Sequence, residues 1–502
     1  MALRLDHLSK FTVGAIFALF VVYAAKIFSV AWSVGPWIDE LYTLHAINLP
    51  WLDMLLERYR RGHPPVYFTL EKLVWQSTQS LLFPPEFRLR LLSLAAWLAA
   101  LACFAILARR LFSSRTAILA TSIFAFSNIA SLHAANARMY ALALLFSVGH
   151  IFATIKLSHD AKDSKKWWGL YVFSTIAGVN TSPSFLLLSL GTSVGFWCTS
   201  RGRNRSYLLA LATSAIALTY YLPALYFYLV TPSQLGPVSK HVSRIGYAIP
   251  ALLTGLGRGK VPDSGGLQWF SFIVSLFAGL AILLLAARSW KLTQPWFRCV
   301  FVAFATPFVI LLGGALLSTI PPFGFLRVGT DRYLIVFVPA GALIAAEVFE
   351  RRLQSLSSIF AVLIGLLAVL NTSNNENKEG QVFKNEIISL CNHVAPQMVT
   401  IICPPEIVEG VQLYCPQLKP AATFGINSLC PTTLSGVIDE GTSSGAILLI
   451  YYRGHVPEVI QKCRDAFSTV TLLSRRVYGS DRDPLFAVYL FSEPRQREFR
   501  KR

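Results

Sequence analysis

"FTVGAIFALFVVYAAKIFSVAW", residues 11–32, decides the fold. About 20 apolar residues in a row cross a bilayer as a helix, and this run carries a single charge, Lys26. A secretory leader also begins with an apolar run, but its core is shorter, about 7–15 residues, and a small-residue cleavage site follows it. No such site follows here, so the run reads as a retained first helix. Next comes "WIDELY", residues 37–42, with adjacent carboxylates Asp39 and Glu40 where the chain leaves the bilayer. Carboxylates are costly to desolvate, so their position asks for a reason.

The composition extends this reading to the whole chain. Of 502 residues, 54% are hydrophobic and only 14% charged, and the mean hydropathy is +0.52. That is the composition of a polytopic membrane protein. The formal net charge of +19 comes from 45 Lys and Arg against 26 Asp and Glu. In a soluble protein this excess would suggest nucleic acid. Here it is read as cytoplasmic loop charge that orients helices, with no nucleic-acid partner.

Apolar segments of spanning or nearly spanning length fall at 11–32, 91–111, 116–132, 140–157, 168–181, 184–199, 206–229, 268–287, 298–319, 333–348 and 355–371, about eleven helices. The weakest two, 168–181 and 184–199, meet at "NTSPS", a turn. With the amino terminus inside, the inner loops are "ARRLFSSR" (108–115), "KLSHDAKDSKK" (156–166), "RGRNR" (201–205), "RSWKLTQPWFR" (288–298) and "ERR" (350–352), and every one is basic. This is the positive-inside pattern. The outer loops then include 33–90, 133–139, 180–184, 230–267 and 320–332, and everything after 371 lies outside.

Residues 1–371 thus form a transmembrane domain and residues 372–502 a second one. The latter opens on the polar linker "NTSNNENKEG". Short apolar runs, "MVTIIC", "GAILLIYY" and "LFAVYLF", then alternate with helical pieces such as 456–467, the pattern of a small extracytoplasmic α/β domain. Of eight cysteines, Cys103, Cys198 and Cys299 lie in or beside apolar segments and read as core. Cys391, Cys403, Cys415, Cys430 and Cys463 follow the last span without a CxxC pair, which speaks for an oxidising compartment, two disulfides and one thiol left over. No internal repeat of fixed period occurs, which weighs against the commonest transporter designs.

Chemistry-bearing residues collect on the outer face. The first outer loop holds Asp39 and Glu40 beside Trp37 and Tyr42, and then "RYRRGHPPVYF", residues 58–68. There His63 precedes two prolines that fix the backbone. The next outer loop holds "HAANARMYAL", with Arg138 and Tyr140 at a helix mouth, and the last short one holds "GTDRYL", with Arg332 and Tyr333. Each has a plain alternative: interfacial charges, a helix-capping His, a snorkelling Arg. Together, carboxylates and arginines at one bilayer surface suit an anionic, lipid-borne substrate. Arginines hold a phosphate, and a carboxylate takes a proton from an incoming hydroxyl.

The ordered run from "WIDELY" through "HPPVYF", "FRLRLLS" and "NARMYAL" to "DRYLIVFVPAGALIAA", roughly residues 30–350, resembles the GT-C glycosyltransferases. It is most similar to the branch containing bacterial aminoarabinose transferases and protein O-mannosyltransferases. The resemblance implies transfer of a sugar from a polyprenyl-phosphate carrier to a hydroxyl of a lipid, glycan or protein, with inversion, on the extracytoplasmic face of a bacterial inner membrane. It implies Asp39 as base with Glu40 in support, and His63 on the acceptor side or bonded to the carboxylates. Arg138, Tyr140, Arg332 and Tyr333 fall to the carrier phosphate, and Arg90 takes a structural role. No cofactor is required, although a divalent ion near Asp39, Glu40 and His63 is chemically open. Relatives often carry a "THY"-like histidine at the hairpin near 180–184, where this chain has "NTSPSF". Loop 230–267 adds Arg244, Arg258 and Lys260, which can meet the phosphate or simply be solvated.

Two other functions fit the sequence less well. A transporter or flippase of a lipid-linked anion needs charges or broken helices near mid-membrane, and the spans hold few. A receptor needs one or two anchoring helices, not eleven. An oligosaccharyltransferase is disfavoured, because "WWD" is absent after 371 and the "WW" at 167–168 sits at the cytoplasmic edge.

Overall fold

The computed structural model describes residues 2–159, 164–199, 204–230, 247–256, 266–290, 293–317, 331–370, 375–393, 399–403, 407–418, 420–423, 446–451, 467–477 and 484–494. Arg244, Arg258 and Lys260 lie outside these residues, as does most of the expected helix 456–467, and of Arg332 and Tyr333 only the backbone is described.

The helices are, in chain order, α1 (Ala2–Ser33), α2 (Ile38–Asn48), α3 (Trp51–Arg60), α4 (Pro65–Ser77), α5 (Pro85–Leu111), α6 (Ser114–Ala125), α7 (Asn128–Ala134), α8 (Tyr140–His159), α9 (Ser164–Val179), α10 (Ser184–Thr199), α11 (Asn204–Val230), α12 (247–254), α13 (Gly266–Arg288), α14 (Pro295–Leu317), α15 (Val338–Arg352), α16 (Ser357–Leu370), α17 (Asn375–His393) and α18 (Val408–Tyr414). A 3-10 turn, Asp331–Phe337, leads into α15. Every apolar segment read from the sequence lies on a helix. Among the described residues five helices are long and apolar enough to cross a membrane, or up to seven if each of two bent pairs is one span. One bent pair is α6 with α7, 54° apart, where the sequence reads a single span over 116–132. Ser127 ends the first piece and caps the second, its Oγ accepting from the Ala130 N–H at 3.4 Å. The chain at the break meets Gly255, whose carbonyl accepts from the Asn128 N–H at 3.2 Å. Gly255 has φ of +73°, a conformation only glycine adopts without strain.

The chain divides into two compact units. The first comprises Met1–Ala31, Trp51–Ser80 and Arg90–Ser373, and the second Trp32–Pro50, Leu81–Leu89 and Asn374–Arg502.

In the first unit, α10 and α14 approach closely through Gly191 and Gly195. A Cβ at these positions would stand 2.5 Å from the Ala303 carbonyl oxygen and 2.6 Å from that of Cys299, the small-residue logic of helix pairing in lipid. A buried polar knot adds to it. His150 on α8 sits 3.0 Å from the Thr192 hydroxyl and 3.1 Å from that of Thr175, and the Tyr171 hydroxyl is 2.9 Å from Thr192. Arg90, at 2% exposure, donates to the carbonyls of Val30 at 3.1 Å and Ala31 at 3.5 Å. The expectation that it ties a loop to a helix is corrected in detail: the helix already begins at Pro85, and Arg90 clamps the end of α1, where carbonyls are unsatisfied and a cation is favoured. Lys26 Nζ donates to the Val369 carbonyl at 2.7 Å, and Leu19 borders Gly365. α1 and α16 therefore run in the same direction. Cys299 is buried, whereas Cys103 and Cys198 are exposed on their helices. They are not core residues, because a span apolar all round does not reveal which face it turns outward.

In the second unit, strands β1 (Val399–Cys403), β2 (Pro420–Thr423), β3 (Ala446–Tyr451), β4 (Phe467–Val477) and β5 (Pro484–Pro494) form one sheet, ordered β2-β1-β3-β5-β4. β1 pairs parallel with β2 and β3, and β5 pairs antiparallel with β3 and β4. The helical part of this unit is a core of Trp37, Ile38 and Leu41 with Phe383, Ile387 and Leu390 of α17 and Ile407, Val411, Cys415 and Leu418 around α18. A disulfide joins Cys391 to Cys415, with Cα atoms 5.5 Å apart. Cys430 and Cys463 lie outside the described residues, and of Cys403 only the backbone is described.

Candidate active site

In the first unit, Arg138 is built into a buried position and His63 into a half-buried one. The chain leaves α3 through Gly62, whose φ is +73°. The Gly62 N–H donates to the Tyr59 carbonyl at 2.9 Å and the His63 N–H to the Arg58 carbonyl at 2.8 Å. Pro64 then ends the turn and Pro65 opens α4, where its missing N–H costs nothing. His63 is half-buried, its ring 6.0 Å from that of Phe68. Two contacts hold this loop. The Val66 N–H donates to the Asn180 carbonyl at 3.1 Å, in the "NTSPS" turn, and the Tyr221 hydroxyl donates to the Gly62 carbonyl at 3.3 Å. The HPP segment thus meets the "NTSPS" hairpin.

Arg138 is 5% exposed and Tyr140 1%. Arg138 is therefore not snorkelling; it is enclosed. It stands just before α8, at the positive end of that helix dipole, which favours anions and not cations. Ser93 Oγ donates to its carbonyl at 3.2 Å, and the Tyr140 ring is 4.5 Å from that of His133. The 3-10 turn carrying the backbone of Arg332 and Tyr333 packs against α7 and α8.

Arg58 was missed in the sequence. It is 1% exposed, the most enclosed cation of the "RYRRG" stretch. Glu57 pairs with it and also with Arg61, and its guanidinium stands 5.0 Å above the Phe68 ring. Burial lowers its pKa, Glu57 opposes this, and Arg61 and Arg138 lower it further. Arg58 and Arg138 therefore feel each other's charge. Glu57 is shared by Arg58 and Arg61, and Arg138 adds a second buried cation within reach of Arg58, a concentration of positive charge that suits an anion. The sequence signal was the crowding of arginines before a glycine turn, which reads equally well as a solvated face.

In the second unit, Asp39 and Glu40 are not in a loop; they open α2, in the first turn, where carboxylates are favoured. Glu40 is fully buried, and its Oε2 accepts from the Trp37 N–H at 3.3 Å, satisfying a donor at the helix start. Asp39 is half-buried, and its carbonyl accepts from Thr43 Oγ1 at 3.2 Å. Of the two, Asp39 is the one with access to solvent. Among the described residues no three His, Cys, Asp or Glu side chains gather as metal ligands.

No protein-family model and no curated protein matches the chain. It is similar to solved structures of ArnT from Cupriavidus metallidurans. To the form bound to undecaprenyl phosphate it is 14% identical with a TM-score of 0.47 over 96% of this chain and 98% of that one; to the apo form it is 14% identical with a TM-score of 0.45 over 94% and 97%. It is also similar to the Archaeoglobus fulgidus oligosaccharyltransferase tethered with an acceptor peptide, at 12% identity and a TM-score of 0.47 over 88% of this chain and 69% of that one. Likeness at this level assigns no substrate and no mechanism.

Proposed function

We propose that the protein is a GT-C-type membrane glycosyltransferase that moves a sugar from a polyprenyl-phosphate carrier to a hydroxyl group. The observation that carries this reading is the buried guanidinium pair Arg58 and Arg138, beside the amino end of α8. Fixed positive charge in a site shielded from water is what a departing phosphate requires. The motif order from "WIDELY" to "DRYL" supports the same reading.

The acceptor hydroxyl oxygen attacks the anomeric carbon from the face opposite the phosphate. The bond from that carbon to the phosphate oxygen breaks, and the phosphate leaves with the electron pair and inverts the sugar. Asp39 takes the hydroxyl proton, a contribution of about 10²–10⁴ in rate. Glu40 fixes the start of the helix that bears Asp39. Arg58 and Arg138, with Arg332, hold the leaving phosphate, and Tyr140 and Tyr333 orient it. His63 lies on the acceptor side. Arg244, Arg258 and Lys260 are assigned to the carrier phosphate as well.

The proposed arrangement has about eleven spans, an extracytoplasmic α/β region after 371 and a cytoplasmic amino terminus, in a bacterial inner membrane. The basic inner loops support this. So does the shared direction of α1 and α16, whose carboxyl ends then lie toward one face. The bend of 118° between the segments Leu334–Arg352 and Gln354–Leu370 reverses the chain, as two separate spans require. The disulfide after residue 371 belongs in an oxidising compartment. The test is incubation of purified protein with a panel of labelled polyprenyl-phosphate sugars and membrane lipids. Release of polyprenyl phosphate with label moved to an acceptor is expected; release from no donor in the panel would contradict the reading.

A further inference from the structure

Asp39 stands on a helix whose surroundings come from the far end of the sequence. Trp37, Ile38 and Leu41 are buried among Phe383, Ile387, Ile407 and Val411. Backbone meets backbone at Gly35 and Gly380: a Cβ on either would overlap the other's carbonyl oxygen. A Cβ on Gly410 would overlap the Leu41 side chain, two residues from Asp39 and itself fully buried. Lys384 Nζ donates to the Ser33 carbonyl at 3.0 Å and to Glu86 Oε1 at 2.6 Å, and the Tyr414 hydroxyl donates to the same Glu86 oxygen at 3.0 Å. His45 Nδ1, at the other end of α2, is 2.9 Å from Glu409 Oε1. The disulfide then locks α17 to the end of α18.

We propose that α17 and α18 are the positioning frame of Asp39, with Gly380, Lys384 and Gly410 as positioning residues. This rests on reading Asp39 as the base. Glycine at 35 and 380 leaves no slack: a methyl group at 380 must lift α17 from residues 35–36, which lead directly into α2. Interiors packed this closely transmit such a shift and do not absorb it. A base misplaced by about 1 Å can cost about 10²-fold in rate. Carrier binding is assigned to arginines on other helices and is left alone. The region after 371 is then no detachable receptor; it is part of the machinery that aims the base.

The test uses full-length protein and the variants Gly380→Ala, Gly410→Ala and Gly410→Ala with Leu41→Val, the last to vacate the space the new methyl needs. Three quantities are read: amide hydrogen exchange across residues 38–48, binding of undecaprenyl phosphate, and kcat and KM with the labelled donor that wild type turns over. Gly380→Ala and Gly410→Ala are expected to raise exchange in 38–48 and lower kcat about 10- to 100-fold, with carrier binding within twofold of wild type. Leu41→Val is expected to restore both exchange and kcat in the Gly410→Ala background, a rescue that general damage would not show. Wild-type exchange and kcat in both single variants would overturn the proposal, and so would carrier binding that falls as far as kcat. If Gly380→Ala fails to fold, the Gly410 pair decides. If wild type turns over no donor, the sugar-transfer reading falls, and exchange in 38–48 still decides the frame.

Discussion

Arg58 and Arg138 are both buried, and each guanidinium lies within electrostatic reach of the other. Glu57 outweighs their mutual repulsion on Arg58, and a bound phosphate would add a second counter-charge. Arg58→Met, which leaves Glu57 with Arg61, is therefore expected to lower the unliganded melting temperature and to remove the stabilisation that polyprenyl phosphate gives wild type. For wild type that stabilisation is about 2.7 kcal/mol at a ligand concentration 100 times Kd. A thermal-shift titration of both proteins measures it. Equal shifts in both would remove Arg58 from the phosphate site.

The disulfide between Cys391 and Cys415 closes a loop across a sequence separation of 24 residues. A crosslink of that span stabilises by about 3 kcal/mol. Cys391→Ala with Cys415→Ala should lower the melting temperature of the second unit, and in wild type neither thiol should react with maleimide before reduction. Free reactivity of both in the native protein would contradict the oxidising location.

The orientation is open to a labelling test. With Cys403, Cys430 and Cys463 replaced by serine and a membrane-impermeant thiol reagent on intact cells, Gln79→Cys should gain label over this background and Lys165→Cys should not. The reverse pattern would turn the whole arrangement over and place the candidate site on the wrong face.

His150 gives a contrasting expectation. It is buried in the first unit and hydrogen-bonded on both ring nitrogens, to Thr175 and Thr192, hydroxyls that also bond to their own helix backbones. Its work is to join α8, α9 and α10. His150→Leu should cost about 1–3 kcal/mol of stability through the groups left behind, with kcat of the surviving folded protein close to wild type. A large loss of kcat at unchanged stability would make this knot part of the chemistry.

Much of the helical architecture was legible because a span must be long and apolar and its cytoplasmic loops basic. The break between α6 and α7 was less so: its signal was the pair Ser127–Asn128, a good helix start inside an otherwise continuous apolar run. At the candidate site, Arg138 and Tyr140 could be named from their motif, but enclosure could not, and enclosure is what separates Arg58 from the solvated arginines beside it. The setting of Asp39 was the least legible. Nothing in the spacing of "WIDELY" connects Gly35 with Gly380 or Leu41 with Gly410; those contacts follow from how α17 and α18 fold back onto residues 35–41. Glu40 looked like half of a catalytic pair, and its burial against the Trp37 N–H gives it a structural task instead.

The central claim is that the Asp39 carboxylate takes the acceptor proton. Asp39→Asn keeps the size of the side chain and removes its basicity. In purified protein supplied with the labelled donor, transfer should fall by at least about 10²-fold, with normal expression and unchanged binding of polyprenyl phosphate. Turnover near the wild-type rate would show that the base is elsewhere and that the reading of this site is wrong.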